Sequence, residues 1–307
     1  MKDYPVVSAV TGHTPLVRLA HLPGLCSGNI LCKLEFCNPA SSIKDRIAVN
    51  MIDDAEKRGV LRPGGTIIEA TSGNTGLGLA MTAAARGYKL IIAMPESMSR
   101  ERRLLMQQLG ARLVLTEAAR GMAGSIAKAD ELAAATENCF MPRQFENPAN
   151  PAAHELTTGP EILRDTAGRV DIFVAGIGTG GTVSGVGRAL KKFRSDIEIY
   201  GVEPDESAVL SGDKPGPHGI QGIGAGFKPK TLDMDVIDGI IRIRSNDAIA
   251  TARELAAVEG ILAGISTGAN IKAALLLAAR PENRGKNIVT VACDTGERYL
   301  STALFAE

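Results

Sequence analysis

Residues 66–76 read Thr-Ile-Ile-Glu-Ala-Thr-Ser-Gly-Asn-Thr-Gly, and this stretch decides the fold class. Residues 66–70 have strand-forming character and run into a turn of small, hydrogen-bonding residues. A helix rich in leucine and alanine follows and ends at Arg86-Gly87, where the glycine is suited to terminate it. Strand, turn and helix in this order are typical of a parallel sheet covered by helices.

The same alternation recurs in both halves of the chain. It predicts further strands at 16–19, 30–34, 90–94, 112–115, 171–175, 197–203 and 288–293, and further helices at 99–109, 122–135 and 247–259 and after the turns at 178–182 and 264–268. We therefore expect an α/β protein of two lobes, each a mostly parallel sheet flanked by helices. The linker-like passage 147–151 places the lobes at residues 1–147 and 148–307, with segment 1–37 a candidate to pack on the second lobe.

The composition narrows the class of protein. Lysine plus arginine equals aspartate plus glutamate at 34 each, so no overall charge draws the chain to nucleic acid or to an acidic membrane. The five cysteines, Cys26 and Cys37 among them, lack metal-ligand spacing, which predicts reduced thiols, no disulfide framework and no metal site. We interpret Cys37 as a packing residue. No basic and apolar leader or membrane-length apolar run occurs, so we expect a soluble, cytoplasmic protein.

Residues 38–46, Asn-Pro-Ala-Ser-Ser-Ile-Lys-Asp-Arg, contain the candidate catalytic residue. The opening Asn-Pro is a turn dipeptide, and Ser42 with Asp45 resembles a capping box, so a helix is expected to begin near Ile43. Lys44 then lies in the first helical turn, where the helix dipole favours a neutral amine, which is a nucleophile and a base. A lysine that simply points into water fits the same segment.

Two turns follow predicted strands and offer backbone N–H donors at the start of a helix. Residues 178–182, Gly-Thr-Gly-Gly-Thr, add two hydroxyl groups and suit a phosphate, whereas residues 71–75 add the Asn74 amide and suit a carboxylate or a phenolic oxygen. Tight packing alone also explains such glycine-rich turns.

A dinucleotide-binding interpretation competes for the segment that contains residues 178–182. Gly176, Gly178 and Gly181 match the glycine pattern of an NAD site, and Glu203 follows about 20 residues on, as that pattern requires. An NAD-dependent enzyme is therefore an alternative. It leaves Lys44 and the Asn74 turn without a role, whereas pyridoxal 5′-phosphate (PLP) requires a lysine, a phosphate cup and a group that faces its ring nitrogen.

Four blocks, residues 38–46, 71–76, 178–182 and 264–269, closely resemble in order and spacing the cysteine synthase (O-acetylserine sulfhydrylase) family of fold-type-II PLP enzymes. The resemblance covers nearly the full length of the chain, because it extends to blocks at 95–99, 101–103, 144–151, 220–227 and 296–301. It implies a two-lobed fold like that of the tryptophan synthase β subunit.

The resemblance also implies roles for individual residues. Lys44 would carry PLP and serve as catalytic base and acid, Asn74 would bond the 3′ oxygen of the ring, and Ser266 would face the pyridine nitrogen. The residues that would bind the phosphate are Gly178, Thr179, Gly180, Gly181 and Thr182. The residues that would bind or line the path of the amino-acid substrate are Thr71, Ser72, Gly73, Thr75, Gln144, Gly222, Gly224 and Ala225.

The implied reaction is β-replacement of the acetate of O-acetyl-L-serine by sulfide, which gives L-cysteine. The resemblance also implies a homodimer that can bind the C-terminal tail of serine acetyltransferase as a partner. A cystathionine β-synthase-like enzyme, an enzyme that uses O-phosphoserine and a sulfide-releasing β-eliminase share the same motifs and remain alternatives. The preferred leaving group and nucleophile stay open at this point.

Overall fold

The computed structural model describes residues 4–22 and 28–306, which form two compact units. Unit 1 contains the described residues up to Thr11 together with Asn38–Asn150. Unit 2 contains the described part of Gly12–Cys37 and the chain from Pro151 onward. The division after Asn150 lies close to the predicted boundary after Asn147, whereas the predicted segment 1–37 is shared between the units.

The regular elements alternate along the chain. They are β1 (Leu16–Arg18), β2 (Asn29–Leu34), α1 (Lys44–Lys57), β3 (Thr66–Ala70), α2 (Asn74–Arg86), β4 (Lys89–Pro95), α3 (Arg100–Gln108), β5 (Arg112–Thr116), α4 (Gly121–Ala134), β6 (Cys139–Phe140), α5 (Ala149–Ala153), α6 (Gly159–Asp165), β7 (Ile172–Gly176), α7 (Gly181–Phe193), β8 (Glu198–Pro204), β9 (Gly239–Ile243), α8 (Ser245–Glu259), α9 (Ile265–Ala278) and β10 (Asn287–Ala292). A π-helical turn, His154–Thr158, separates α5 from α6.

Unit 1 is built on a four-stranded parallel sheet in the order β5-β4-β3-β6. All five residues of the central strand β3 are buried, as expected of a parallel strand covered on both faces. Gly87 ends α2 with a left-handed φ of 74°, a conformation that glycine adopts without steric cost. The start of α1 packs closely on α2, because a Cβ atom at Gly78 would lie 3.1 Å from the carbonyl oxygen of Lys44.

Unit 2 is built on a six-stranded sheet in the order β1-β2-β10-β7-β8-β9. Strand β1 is antiparallel to β2, and the other pairs are parallel. Helix α9 supplies much of the core of this unit, with Ala269, Ile271 and Leu277 fully buried. The predicted α/β class with mostly parallel sheets is confirmed.

Several local predictions were wrong or incomplete. Residues 264–268 were predicted as a turn, yet α9 begins at Ile265, because the N–H of Gly268 already bonds to the carbonyl of Gly264. The short strand β6 and the strand β9 were missed, since they carry too few residues or too little alternation to stand out.

Among the described residues, no helix has the length and apolar character needed to cross a lipid bilayer.

Candidate active site

Lys44 is the first residue of α1, and its backbone N–H donates to the Ser42 hydroxyl at 3.2 Å. The buried Asp45 carboxylate accepts the N–H of Ala40 at 2.6 Å and the hydroxyl of Ser42 at 3.2 Å. These bonds fold the preceding turn back onto the helix start, and Ser41 takes a left-handed φ of 56° within it. The predicted helix start is therefore correct to one residue, and the side chain of Lys44 is half-buried.

The second turn of unit 1 joins β3 to α2, which begins at Asn74. Thr71 and Thr75 are buried, whereas Ser72, Gly73 and Asn74 are half-buried. The Thr75 hydroxyl donates to the side-chain oxygen of Gln144 at 2.6 Å, although the two residues are 69 positions apart. The structure thus joins Gln144 to the turn with which the sequence resemblance associates it.

The glycine-rich turn of unit 2 joins β7 to α7, which begins at Gly181. Thr179 and Thr182 are buried, and Thr231 fixes the turn by donating its hydroxyl to the carbonyl of Thr179 at 2.6 Å. Gly180 adopts a left-handed φ of 80°, and a Cβ atom there would lie 2.7 Å from the Cβ of Leu232. The first turn of a helix has N–H groups with no partner inside the helix, so this turn can receive an anion.

Three segments of unit 2 that are distant in sequence meet at this turn. A Cβ atom at Gly178 would lie 2.5 Å from the carbonyl oxygen of Gly222, and one at Gly222 would lie 3.6 Å from the Ser266 hydroxyl. The N–H of Gly224 donates to the carbonyl of Ile177 at 2.9 Å and holds the two loops together. Gly222 and Gly224 both have positive φ values, which a larger residue would adopt only with strain.

The dinucleotide interpretation finds little support in unit 2. The buried Glu203 carboxylate accepts the N–H groups of Leu210 and Ser211, at 2.8 Å and 3.0 Å, and also the Ser211 hydroxyl, so it serves the fold. The N–H of Gly176 donates to the side chain of Asn270 at 2.7 Å. Neither the acid nor the first glycine of the pattern is arranged to meet a ribose or a pyrophosphate.

Sequence reasoning missed two buried groups beside these turns. His154, in the π-helical turn, lies 3.3 Å from the Thr182 hydroxyl through Nε2 and 2.9 Å from the Thr158 hydroxyl through Nδ1. Glu69 is buried inside β3, two residues before Thr71. A charged residue inside an apolar strand was the one signal for Glu69, whereas nothing local marks His154, because its contact with Thr182 spans 28 residues.

The described cysteines are free thiols, as the sequence predicts, but the interpretation of Cys37 needs correction. Cys32, Cys37, Cys139 and Cys293 are free thiols, and Cys26 lies outside the described residues. Cys37 is exposed, so its interpretation as a packing residue was wrong. Within ranges 4–22 and 28–306, no cluster of histidine, cysteine, aspartate and glutamate has the arrangement of a metal site.

The chain matches the family model described as pyridoxal-phosphate dependent enzyme over residues 7–294. It is 56% identical to cysteine synthase A of Escherichia coli (strain K12), with 98% of this chain and 95% of that protein covered. A cysteine synthase structure from Entamoeba histolytica is 46% identical, with a TM-score of 0.96 over 99% of this chain and 91% of that chain. A hydrogen sulfide-producing enzyme from Fusobacterium nucleatum is 44% identical, with a TM-score of 0.93 over 98% and 99% of the two chains.

The chain therefore belongs to the family of PLP-dependent enzymes, and within it to the fold-type-II cysteine synthases. The resemblance that the sequence blocks carry is confirmed, and so is the dependence on PLP. As an enzyme of this family it acts on small-molecule substrates.

Proposed function

We propose that this enzyme makes L-cysteine by replacing the acetate group of O-acetyl-L-serine with sulfide. The observation that supports this activity most strongly is the 56% identity to a cysteine synthase across 98% of the chain. The second support is the meeting of Gly178, Gly222 and the start of α9 at Ser266 in unit 2, because three segments that the sequence separates come together there.

The residues of unit 2 fit the phosphate and ring of PLP. The start of α7 offers N–H donors and the hydroxyls of Thr179 and Thr182, a donor set that suits a phosphate group. A Cβ atom at Gly178 or Gly180 would collide with the carbonyl of Gly222 or with Leu232, so the backbone of this turn approaches its neighbours as only glycine allows. We assign residues 178–182 to the phosphate, Ser266 to the pyridine nitrogen and Asn74 to the 3′ oxygen.

Lys44 is the proposed carrier of PLP and the proton-transferring group. Bound PLP acts as an electron sink that stabilises negative charge at the α-carbon of an amino acid. The neutral amine of Lys44 can accept the α-proton and later return it, and a position in the first turn of α1 favours that neutral form. Ser266 has no negative charge to hold a proton on the pyridine nitrogen, which moderates the sink and favours β-elimination over transamination.

The turn after β3 is the proposed site for the substrate α-carboxylate. Thr71, Ser72, Gly73 and Thr75 surround the start of α2, where backbone N–H groups and hydroxyls can donate to a carboxylate. Gln144 is held against this turn through Thr75. Gly222, Gly224 and Ala225 are proposed to line the path of the amino acid.

Three further properties are proposed from the family resemblance alone. We expect the enzyme to form a homodimer, to act in the cytoplasm and to bind the C-terminal tail of a serine acetyltransferase. Light scattering of the purified protein measures the first property. Titration with a peptide of the acetyltransferase C-terminus, read as inhibition, measures the last.

The decisive experiment is an absorption spectrum of the purified enzyme before and after addition of O-acetyl-L-serine and then sulfide. We expect a visible band from bound PLP that changes with O-acetyl-L-serine and returns with sulfide as cysteine and acetate are released. The Lys44→Ala variant should bind PLP without this cycle and should lose at least about a thousandfold in kcat, since it lacks both the covalent anchor and the base.

Other outcomes separate the alternatives. A PLP-containing enzyme that ignores O-acetyl-L-serine but releases sulfide from cysteine would share the production of hydrogen sulfide with the Fusobacterium nucleatum protein. Turnover of O-phosphoserine in place of O-acetyl-L-serine would identify O-phosphoserine as the substrate. A Lys44→Ala variant with normal turnover would contradict the role of the lysine.

A further inference from the structure

Helix α3 directs one side chain into the core of unit 1. Of its nine residues, all of which the structure describes, Met106 is the one that is buried, with none of its surface exposed. The neighbouring Leu104 and Leu105 are 53% and 44% exposed. Met106 belongs to the core cluster that also contains Leu77 and Met94, and the proposed mechanism gives it no role.

The Met106 side chain ends at the turn that follows β3. A Cβ atom at Gly76, the third residue of α2, would lie 2.7 Å from the Cε atom of Met106 and 3.0 Å from its Sδ atom. The same Cβ atom would lie 3.1 Å from the Cγ2 atom of the buried Thr71. Met106 and Thr71 therefore border one small space, and the missing side chain of Gly76 lets both of them approach the start of α2.

Both side chains belong to segments that the sheet of unit 1 fixes. The N–H of Thr71 donates to the carbonyl of Ala93 in β4 at 3.2 Å. The carbonyl of Met106 accepts the N–H of Ala111, which directly precedes β5, at 3.0 Å. Because β4 and β5 are paired, the contact at Gly76 lies between two anchored pieces of backbone, and Met106 forms a fixed wall beside the turn.

The packing around Met106 makes the turn sensitive to this side chain. Methionine is unbranched and flexible, so it fills an irregular gap such as the one beside Gly76. In a close-packed interior, truncation of a side chain leaves a cavity into which its neighbours relax. Here those neighbours are Thr71 and the start of α2, and the Thr71 hydroxyl also accepts the N–H of Gly73 at 3.3 Å. A shift of Thr71 therefore moves the residues that follow it.

We propose that Met106 is a positioning residue, which packs against Gly76 and Thr71 and thereby holds residues 71–75 in the geometry that binds the substrate carboxylate. This inference rests on the proposed function, because it takes residues 71–75 as the carboxylate site. Met106 acts through Thr71 and Gly76, and we assign it no contact with substrate or PLP. Hydrogen bonds to a carboxylate weaken when their donors move out of line, so loss of this wall should weaken substrate binding.

The test is steady-state kinetics of the holoenzyme with O-acetyl-L-serine, together with absorbance to measure PLP content and urea unfolding to measure stability. Met106→Ala should raise KM about tenfold, change kcat by less than about twofold and leave the PLP content complete. Met106→Leu keeps the apolar volume and should hold KM within about twofold of the wild-type value.

A matched control separates positioning from general damage to the core. Leu90 is buried in the same cluster, and its place at the start of β4 pairs it with Ile67, near the end of β3 that lies away from the turn. Leu90→Ala opens a cavity in the same core, so it should destabilise the enzyme as Met106→Ala does. Its KM should remain that of the wild type.

An exchange of volume tests the contact itself. Gly76→Ala should raise KM about tenfold, because the new methyl group would collide with Met106 and Thr71. When Gly76→Ala is combined with Met106→Ala, the vacated space accepts that methyl group, and KM should return to within about threefold of the wild-type value. Independent damage at the two positions would instead multiply the two increases.

The outcomes decide between the inference and the function beneath it. A wild-type KM in Met106→Ala, a raised KM that accompanies loss of PLP, or an equal rise of KM in Leu90→Ala would overturn the positioning role. If Met106→Ala does not fold, Gly76→Ala decides in its place, since a wild-type KM in that variant contradicts the inference. A wild type that does not turn over O-acetyl-L-serine contradicts the proposed function instead. The variants are then compared by the concentration of amino acid that changes the PLP absorption band.

Discussion

The turns that follow β3 and β7 have similar residue types and opposite surroundings. In unit 1, a Cβ atom placed on Gly73 would meet nothing within 4 Å. In unit 2, a Cβ atom on Gly178 would lie 2.5 Å from the carbonyl oxygen of Gly222. The first turn is open at Gly73, which suits the substrate role that we propose for it, whereas the second is closed around its own loops, which suits the proposed role in holding a cofactor.

Two buried glutamates extend the contrast. Glu203 in unit 2 is satisfied by two backbone N–H groups and a hydroxyl, so its burial is explained by the loop that it holds. Glu69 in unit 1 is buried with one oxygen that receives no hydrogen bond. The bonds of Glu203 offset the cost of burying it, whereas the burial of Glu69 is only partly offset and favours its neutral form.

The largest expected difference between the turns is in cofactor binding. Gly178→Ala should weaken PLP binding by at least about 100-fold, because the new methyl group would collide with backbone that cannot move without displacing the 222–226 loop. Gly73→Ala, the matched change in the open turn, should keep a full complement of PLP. Absorbance of the purified variants gives the PLP content, and equal PLP content in both would remove the contrast.

The second prediction concerns the pH dependence of stability. Folding raises the pKa of Glu69 from 4.5 to about 7, so the folded state binds the proton more tightly than the unfolded state. The stability that this proton supplies is complete below pH 4.5 and is lost as pH rises through about 7, by up to about 3 kcal/mol. Glu69→Gln should flatten this part of the profile, as measured by urea unfolding at pH 5.0 and 7.5, and an unchanged slope would contradict the burial argument.

Glu203→Gln should lower the stability of the enzyme at neutral pH, in contrast to Glu69→Gln. Weakening two bonds from backbone N–H groups to a charged acceptor should lower the free energy of unfolding by about 2 kcal/mol at neutral pH. Its KM for O-acetyl-L-serine should remain that of the wild type. Denaturant unfolding and kinetics on the same preparation check both values, and a raised KM with normal stability would show that Glu203 is more than structural.

The smallest expected effects come from two matched hydroxyls. Thr75→Val removes the bond to Gln144 and should raise KM about tenfold with normal PLP content. Thr231→Val removes the bond to the carbonyl of Thr179 and should instead weaken PLP binding by a similar factor. The comparison of the two turns fails if both variants change the same parameter.

The sequence by itself determined the α/β class, most element positions and the start of α1 to within one residue. These features depend on hydrophobic period, capping and glycine turns, all of which act within a few residues. The family was identified differently, from the resemblance of ordered blocks such as residues 71–76, 178–182 and 264–269 to the cysteine synthases. Each block can be identified from the sequence without knowledge of its tertiary contacts.

Only the tertiary structure decided which segments meet. The pairing of β2 with β10 places the described part of residues 12–37 in unit 2, and it joins strands more than 250 residues apart, which no local pattern encodes. The approach of Gly178 to Gly222, the helical setting of Ser266 and the buried, unsatisfied oxygen of Glu69 likewise depend on neighbours brought in from elsewhere in the chain. Local propensity determines where helices and strands form, whereas burial and strand pairing determine which of them pack together. The chemistry of a site depends on the groups that this packing brings near it.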